Sequence, residues 1–308
     1  MFAAARAESV RETQSDSCPV FAPDAVVRAA QRLQGRVART RTVTDGPFLR
    51  FKLETEQPTG AFKERGALNA LLALPAAARA AGVVTVSAGN HGAAIARHAT
   101  ALGLRAVVVL PANAARNKVE RVRSMGADVV EFGDDLIEAR KHALDLAAKH
   151  RLTFVHPYDD ADVIAGQGTV AMELLAAAPT VRRLIVPVGG GGLLAGTLLA
   201  VAARAPNVEV IGVALAGRGA NGPTRADGIA VRALGKLPQL VVDRCNPRIV
   251  EVDEDAILDA MHALRDRLGV RAEGAGAASY AAIRAGLVKL DCPTGLVVSG
   301  GNVDASAF

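Results

Sequence analysis

Residues 83–110 read VVTVSAGNHGAAIARHATALGLRAVVVL. A valine-rich run, a glycine-containing turn, a stretch with helical spacing and a second valine-rich run follow one another without a break. Short apolar runs joined by an amphipathic helix are the mark of a βαβ unit in a parallel sheet whose strands are buried on both faces. The pattern continues outward. RAVVVL (105–110) leads to a helix from about Ala114, and ADVVEF (127–132) to a helix from about Asp135. A second series follows, with RLIVPV (183–188) and a helix from Gly192, VEVIGVAL (208–215), RIVEVDEDAILDAMHALRDRLG (248–269) and TGLVVSGGN (294–302). The predicted fold class is α/β, with parallel sheets covered by helices in two domains. The stretch 82–157 reads as a small α/β domain inserted into a large one formed by 1–81 and 158–308. The head, 1–24, is polar and irregular, helical spacing begins in PDAVVRAAQRLQGRV (23–37), and PAAARAA (75–81) reads as helix or linker.

Composition agrees and narrows the function. Half of the 308 residues are hydrophobic but only 3% are aromatic, so the core is built from Ala, Val, Leu and Ile, as in layered α/β proteins. The net charge of +5 is scattered along helices, and even ARNKVERVRS (115–124) reads as one polar helix face, so nucleic-acid binding gains no support. Cys18, Cys245 and Cys292 are odd in number and far apart, and no secretory leader precedes them, which points to a reducing cytoplasm. The longest apolar stretches, such as LLAGTLLAVAARA (193–205), are too short to span a bilayer, so a soluble protein is expected.

In parallel α/β sheets ligands collect where strands end and helices begin. PVGGGGLLAG (187–196) places Gly189, Gly190, Gly191 and Gly192 between a strand and a helix, a backbone cradle for a phosphate. The same loop matches G-x-G-x-x-A through Gly190, Gly192 and Ala195, so a dinucleotide site competes; but the next strand ends in Ala214 and Leu215, where the fingerprint wants an acid for the ribose. VSAGNHGAAIA (86–96) offers Ser87, Ala88, Gly89, Asn90 and His91 at another strand-to-helix turn, either a plain N-cap or a nest for a carboxylate. TGAFKERGAL (59–68) sets Lys63 behind Phe62 among small residues, in a chain where only seven of 36 basic residues are lysines. Desolvation there would lower its pKa toward that of a base or amine nucleophile; the alternative is an ordinary snorkelling side chain. An amine, a phosphate cradle and a carboxylate nest together suit a cofactor bearing an aldehyde and a phosphate that condenses with an amino acid, namely pyridoxal 5′-phosphate.

These motifs resemble the threonine and serine dehydratase branch, with its serine racemase relatives, of the fold-type II pyridoxal-phosphate enzymes, whose fold is like that of the tryptophan synthase β chain. The resemblance rests on KLETEQPTGAFKERGA (52–67), SAGNHG (87–92), HPYDDADVIAGQGT (156–169), GGGGL (189–193), TRADGIAV (224–231), EGAGA (273–277) and SGGN (299–302), in the family's order. It implies that Lys63 is the Schiff-base lysine, that Phe62 packs beside the cofactor ring and that Asn90 bonds its hydroxyl; a lysine so placed, once freed, is expected to remove the Cα proton. Gly189, Gly190, Gly191 and Gly192 would hold the phosphate, and Ser299 would face the pyridine nitrogen. Ser87, Ala88, Gly89, Asn90 and His91 would form the substrate-carboxylate loop.

Departures from the family pattern narrow the branch. Ala88 stands where similar racemases carry a second serine as acid or base, and Ala214 stands where many relatives carry a metal-binding acid, so neither racemisation nor a metal site is expected. Ala61 replaces a serine, and the 41–54 segment, within RTRTVTDGPFLRFKLE, is shorter than the family's. The expected activity is dehydration and deamination of a small β-hydroxy amino acid, L-threonine or L-serine first, 3-hydroxyaspartate or a bulkier analogue next. β-Replacement, a non-catalytic cofactor-binding sensor and a nicotinamide oxidoreductase are the alternatives. The resemblance also implies a homodimer, and it leaves no room for a regulatory domain answering to isoleucine.

Overall fold

The computed structural model describes residues 21–22, 24–217 and 224–303. Cys18 and most of the predicted irregular head lie outside the described residues. In chain order the elements are α1 (Ala25–Leu33), β1 (Thr42–Asp45), β2 (Leu49–Leu53), α2 (Lys63–Ala73), α3 (Ala76–Ala81), β3 (Val83–Val86), α4 (Asn90–Ala101), β4 (Ala106–Leu110) and α5 (Arg116–Ser124). Then come β5 (Asp128–Glu131), α6 (Leu136–His150), β6 (Thr153–Phe154), α7 (Ala161–Ala177), β7 (Arg183–Pro187), α8 (Gly192–Arg204) and β8 (Glu209–Leu215). The chain closes with α9 (Lys236–Cys245), β9 (Arg248–Val252), α10 (Glu254–Leu268), α11 (Gly274–Arg284) and β10 (Thr294–Val298).

The strands form two sheets, one of six in the order β1-β2-β10-β7-β8-β9 and one of four in the order β5-β4-β3-β6. Every pairing is parallel except the β1–β2 hairpin. The central strands β3, β4 and β10 are buried along their whole length, which is why they read as continuous Val/Leu runs. The edge strands β5 and β9 vary in exposure and carry the charges Asp128, Glu131, Arg248 and Glu251. PAAARAA resolves as a short helix, and the 41–54 segment as the hairpin at the edge of the larger sheet.

Strand order fixes where a ligand can sit. In the smaller sheet β3, β4 and β5 step one way and β6 returns to the other side of β3; in the larger, β7, β8 and β9 step one way and β10 returns to the other side of β7. Each reversal splays the two flanking loops apart beyond the strands' carboxyl ends and opens a crevice. The loops after β3, β6, β7 and β10 all line one cavity.

Helix starts in this chain are capped in more than one way. Asp135, Asp160 and Asp253 cap α6, α7 and α10, their side chains accepting from first-turn N–H groups. Gly89 and Gly191 stand at the N-caps of α4 and α8, and no side chain caps either helix. Both of these helix starts line the cavity, and the positive end of each dipole is left for a ligand.

Candidate active site

The cavity holds about 1060 Å³, and all the residues predicted for the site line it: Phe62, Lys63, Ser87, Ala88, Gly89, Asn90, His91, Gly189, Gly190, Gly191, Gly192 and Ser299. Segments that lie far apart in the chain are thereby brought to one place.

Lys63 opens α2, its Nζ donating to the Pro157 carbonyl at 2.7 Å and lying 5.2 Å from the Phe62 ring centroid. Burial pushes its pKa from 10.5 to about 8, the Glu273 charge pulling the other way. The desolvation read from the sequence is therefore present. The segment before Lys63 is fastened to the loop after β10: Phe62 N donates to Ser299 O at 2.9 Å and Gly301 N to Gly60 O at 2.9 Å. Gly60 is required there, since its φ is +66° and a Cβ would fall 2.5 Å from Asn302 Oδ1.

Behind Lys63 the helix is anchored by a buried ionic network. Arg65 donates to both oxygens of Glu54 at 2.8 Å and to Glu173 at 2.7 and 2.9 Å, while Lys52 donates to Glu173 at 2.6 Å and to Thr40 O at 2.8 Å. Thr40 and Gln57 donate the remaining bonds to Glu54, so a carboxylate with no exposure is fully satisfied. The Arg65 and Lys52 charges hold Glu54 ionised against its burial. The sequence alone does not reveal this network, because charged residues in adjoining motifs carry no sign of which will be buried together.

The glycine loop is shaped by its neighbours as well as by any ligand. Gly191 has φ +89°, and a Cβ on Gly190 would lie 2.4 Å from the Tyr158 ring. Tyr158 is held by a turn in which His156 Nδ1 accepts from the N–H groups of Tyr158 and Asp159, at 3.3 and 2.9 Å. Burial pushes His156 down to about 4, so the ring is neutral and able to accept.

In the carboxylate loop, Ser87 Oγ accepts from Gly89 N at 3.2 Å, and His91 is buried with its Nε2 3.4 Å from the Val155 carbonyl. Burial, and next the Lys63 charge, hold His91 neutral. Asn90 donates to Glu273 Oε1 at 2.8 Å and accepts from Asn302 Nδ2 at 2.7 Å. Glu273, part of the EGAGA motif but given no role by the sequence alone, is pushed up to about 7 by burial and then by the Asp227 charge. Ser299 Oγ donates to Ala275 O at 3.3 Å. Arg121 and Lys118 of α5 also line the cavity, although neither is predicted for the site; their stretch reads as a solvated face, and only the placement of α5 beside the cavity turns two of its cations inward.

Pyridoxal phosphate fits this arrangement. The uncapped start of α8 with its bare glycine backbone suits a phosphate, the uncapped start of α4 suits a carboxylate, and a desolvated amine shares the cavity with both. Ser299 offers a neutral hydroxyl at a third wall. Among the described residues no three His, Cys, Asp or Glu side chains gather as metal ligands, and no helix is long and apolar enough to cross a membrane.

Comparison with known proteins agrees. Residues 36–300 match the family model described as pyridoxal-phosphate dependent enzyme. The chain is 40% identical over 281 residues to an L-threonine ammonia-lyase of Thermotoga maritima, covering 86% of this chain and 69% of that one. It is 34% identical over 316 residues to a serine racemase of Schizosaccharomyces pombe, covering 96% and 98%. Among solved structures, a T.th. threonine deaminase superposes with a TM-score of 0.86 at 34% identity, over 91% of this chain and 98% of that one. With two switch-point crevices meeting at one lysine and homology along most of its length, the chain belongs to the pyridoxal-phosphate dependent enzymes, has their type II fold, and is an enzyme of the ammonia-lyase type.

Proposed function

We propose that the protein dehydrates and deaminates a β-hydroxy amino acid of three or four carbons, L-threonine and L-serine being the first candidates, to a 2-oxo acid and ammonia. The observation that carries this is the position of Lys63. Its amine, lowered to about 8, shares one cavity with two uncapped helix starts, so it can give up or take a proton near neutral pH beside two anion-binding backbones. The cofactor supplies an aldehyde for the substrate amine and a sink for the electrons left at Cα. Lys63 removes the Cα proton, the 87–91 loop holds the substrate carboxylate, and the 189–192 loop holds the cofactor phosphate. Ser299, a neutral hydroxyl, would hold the ring nitrogen without stabilising its protonated form as a carboxylate would, chemistry that would favour loss of the β-hydroxyl over transamination.

The similarity to a threonine ammonia-lyase and to a serine racemase leaves two activities to choose between. Ala88 favours the lyase: it lines the cavity at the position where similar racemases carry a serine, and its methyl has no proton to exchange with Cα. The test is to offer L-threonine, L-serine and 3-hydroxyaspartate to the purified holoenzyme while following its visible band, 2-oxo acid and the D-isomer. Release of 2-oxo acid and ammonia with no D-amino acid is expected. A D-isomer formed faster than 2-oxo acid, or a band that responds to none of the three, overturns the reading.

A further inference from the structure

Among the described residues Arg121 has no carboxylate in ion-pair contact. Among the described residues three cationic side chains line the cavity, Lys63, Lys118 and Arg121, against two carboxylates, Asp227 and Glu273. Lys118 and Asp227 pair with each other at 2.6 Å. Arg121 forms no ion pair with any described residue, and its hydrogen bond runs from Nη2 to a neutral acceptor, the Thr59 carbonyl, at 2.7 Å. Burial draws its pKa below the usual guanidinium value, with the Glu273 charge only partly opposing that. Arg121 is half-buried; a cation drawn partly out of water is ordinarily matched by an anion, and four of the five guanidinium N–H groups are not used in the Thr59 bond.

The position of Arg121 ties it to the reacting groups. The Thr59 carbonyl also accepts from Asn302 Nδ2, which donates in turn to Asn90 Oδ1 in the carboxylate loop. Thr59 lies four residues before Lys63. Lys118 precedes Arg121 by three residues, so both project from one face of α5 onto the same wall.

We propose that Arg121 is a specificity-determining residue that receives a second, side-chain carboxylate, so that the preferred substrate class is a β-hydroxy amino dicarboxylic acid such as 3-hydroxyaspartate. The planar guanidinium matches a carboxylate with two parallel N–H···O bonds, which a methyl or hydrogen at the same place cannot form. The inference rests on the dehydratase reading and reorders its candidates, placing 3-hydroxyaspartate ahead of L-threonine and L-serine. The chemistry balances: the Cα–H and Cβ–OH bonds break with loss of one water, another water then hydrolyses the imine, and oxaloacetate and ammonia leave with no external oxidant or reductant.

Arg121→Gln tests this, because glutamine keeps a donor for the Thr59 carbonyl and loses the charge. The readout is the ratio of kcat/KM for L-threo-3-hydroxyaspartate to that for L-threonine, measured on holoenzyme. The ratio is expected to exceed one in the wild type and to fall about 10- to 100-fold in the variant, mainly through KM, with Arg121→Lys in between. A ratio that does not move overturns the proposal, since a merely structural role affects both substrates alike. Calorimetric titration of the holoenzyme with succinate gives a second readout: binding weakened about tenfold or more by Arg121→Gln supports the subsite, and unchanged binding overturns it. A protein that binds succinate through Arg121 yet releases no 2-oxo acid from any β-hydroxy amino acid upholds the subsite and overturns the dehydratase reading instead.

Discussion

Lys63 Nζ donates to the carbonyl of Pro157, 94 residues away, at 2.7 Å. The bond joins the first residue of α2 to the loop after β6 and holds the amine inside the cavity rather than out in solvent. Lys63→Ala removes both the bond and the amine. The expected result is loss of the cofactor's visible band after desalting and loss of turnover to the assay limit, with far-ultraviolet circular dichroism unchanged. Measurable 2-oxo acid production by that variant removes Lys63 from its assigned role.

Gly191 takes φ +89° at the start of α8, and a Cβ there would come within 2.8 Å of both Leu234 Cδ2 and Pro238 Cβ. Gly191→Ala therefore meets a backbone penalty of about 1–2 kcal/mol and a steric one, both at the cradle assigned to the phosphate. Cofactor affinity, followed by fluorescence on reconstitution, is expected to weaken about tenfold or more, since each 1.4 kcal/mol is a factor of ten. Affinity within twofold of wild type places the phosphate elsewhere.

These two residues show what is legible in the sequence. The βαβ rhythm from Val83 marks out both sheets, because strands buried on two faces must be apolar throughout, and such runs are hard to mistake. Lys63 and Gly191 stand out because each breaks a local habit, a lysine among small residues and glycines where one would serve a turn. The β1–β2 hairpin is hidden, since its strands carry Thr42, Asp45, Arg50 and Lys52, and Lys52 is buried only because Glu173, 121 residues on, meets it. Glu273 and Arg121 escape notice as site residues for a related reason. Nothing in EGAGA or ARNKVERVRS tells which charge will face a cavity until α5 and α11 are packed beside it.

The buried network around Arg65 makes a stability prediction. Arg65, Glu54 and Lys52 are each at most 1% exposed. Arg65→Met removes the cation that neutralises Glu54 and leaves a carboxylate in the core with Lys52 at 3.9 Å as its remaining ion-pair partner. Breaking one side of a buried pair costs about 3–5 kcal/mol. Urea unfolding is expected to show a loss of that size, and a loss below about 1 kcal/mol would mean that water or repacking satisfies Glu54.

Glu273 predicts how stability responds to pH. Its folded pKa is raised from 4.5 to about 7, so between those values the folded chain holds a proton that the unfolded chain has released. Stability must then fall as pH rises through that window, by up to about 3 kcal/mol from this group, and stay low above it. Lys63 acts in a separate window. Its folded pKa is lowered from 10.5 to about 8, so the unfolded chain holds the extra proton between those values and stability recovers as pH rises past 8. Glu273→Gln keeps an acceptor for Asn90 and removes only the first of these slopes. Urea midpoints of cofactor-stripped protein at pH 5, 6, 7 and 8 are expected to decline in the wild type and to flatten in the variant, which becomes the more stable of the two at pH 8. Parallel declines in both proteins would assign the slope to other groups and return Glu273 to an ordinary carboxylate.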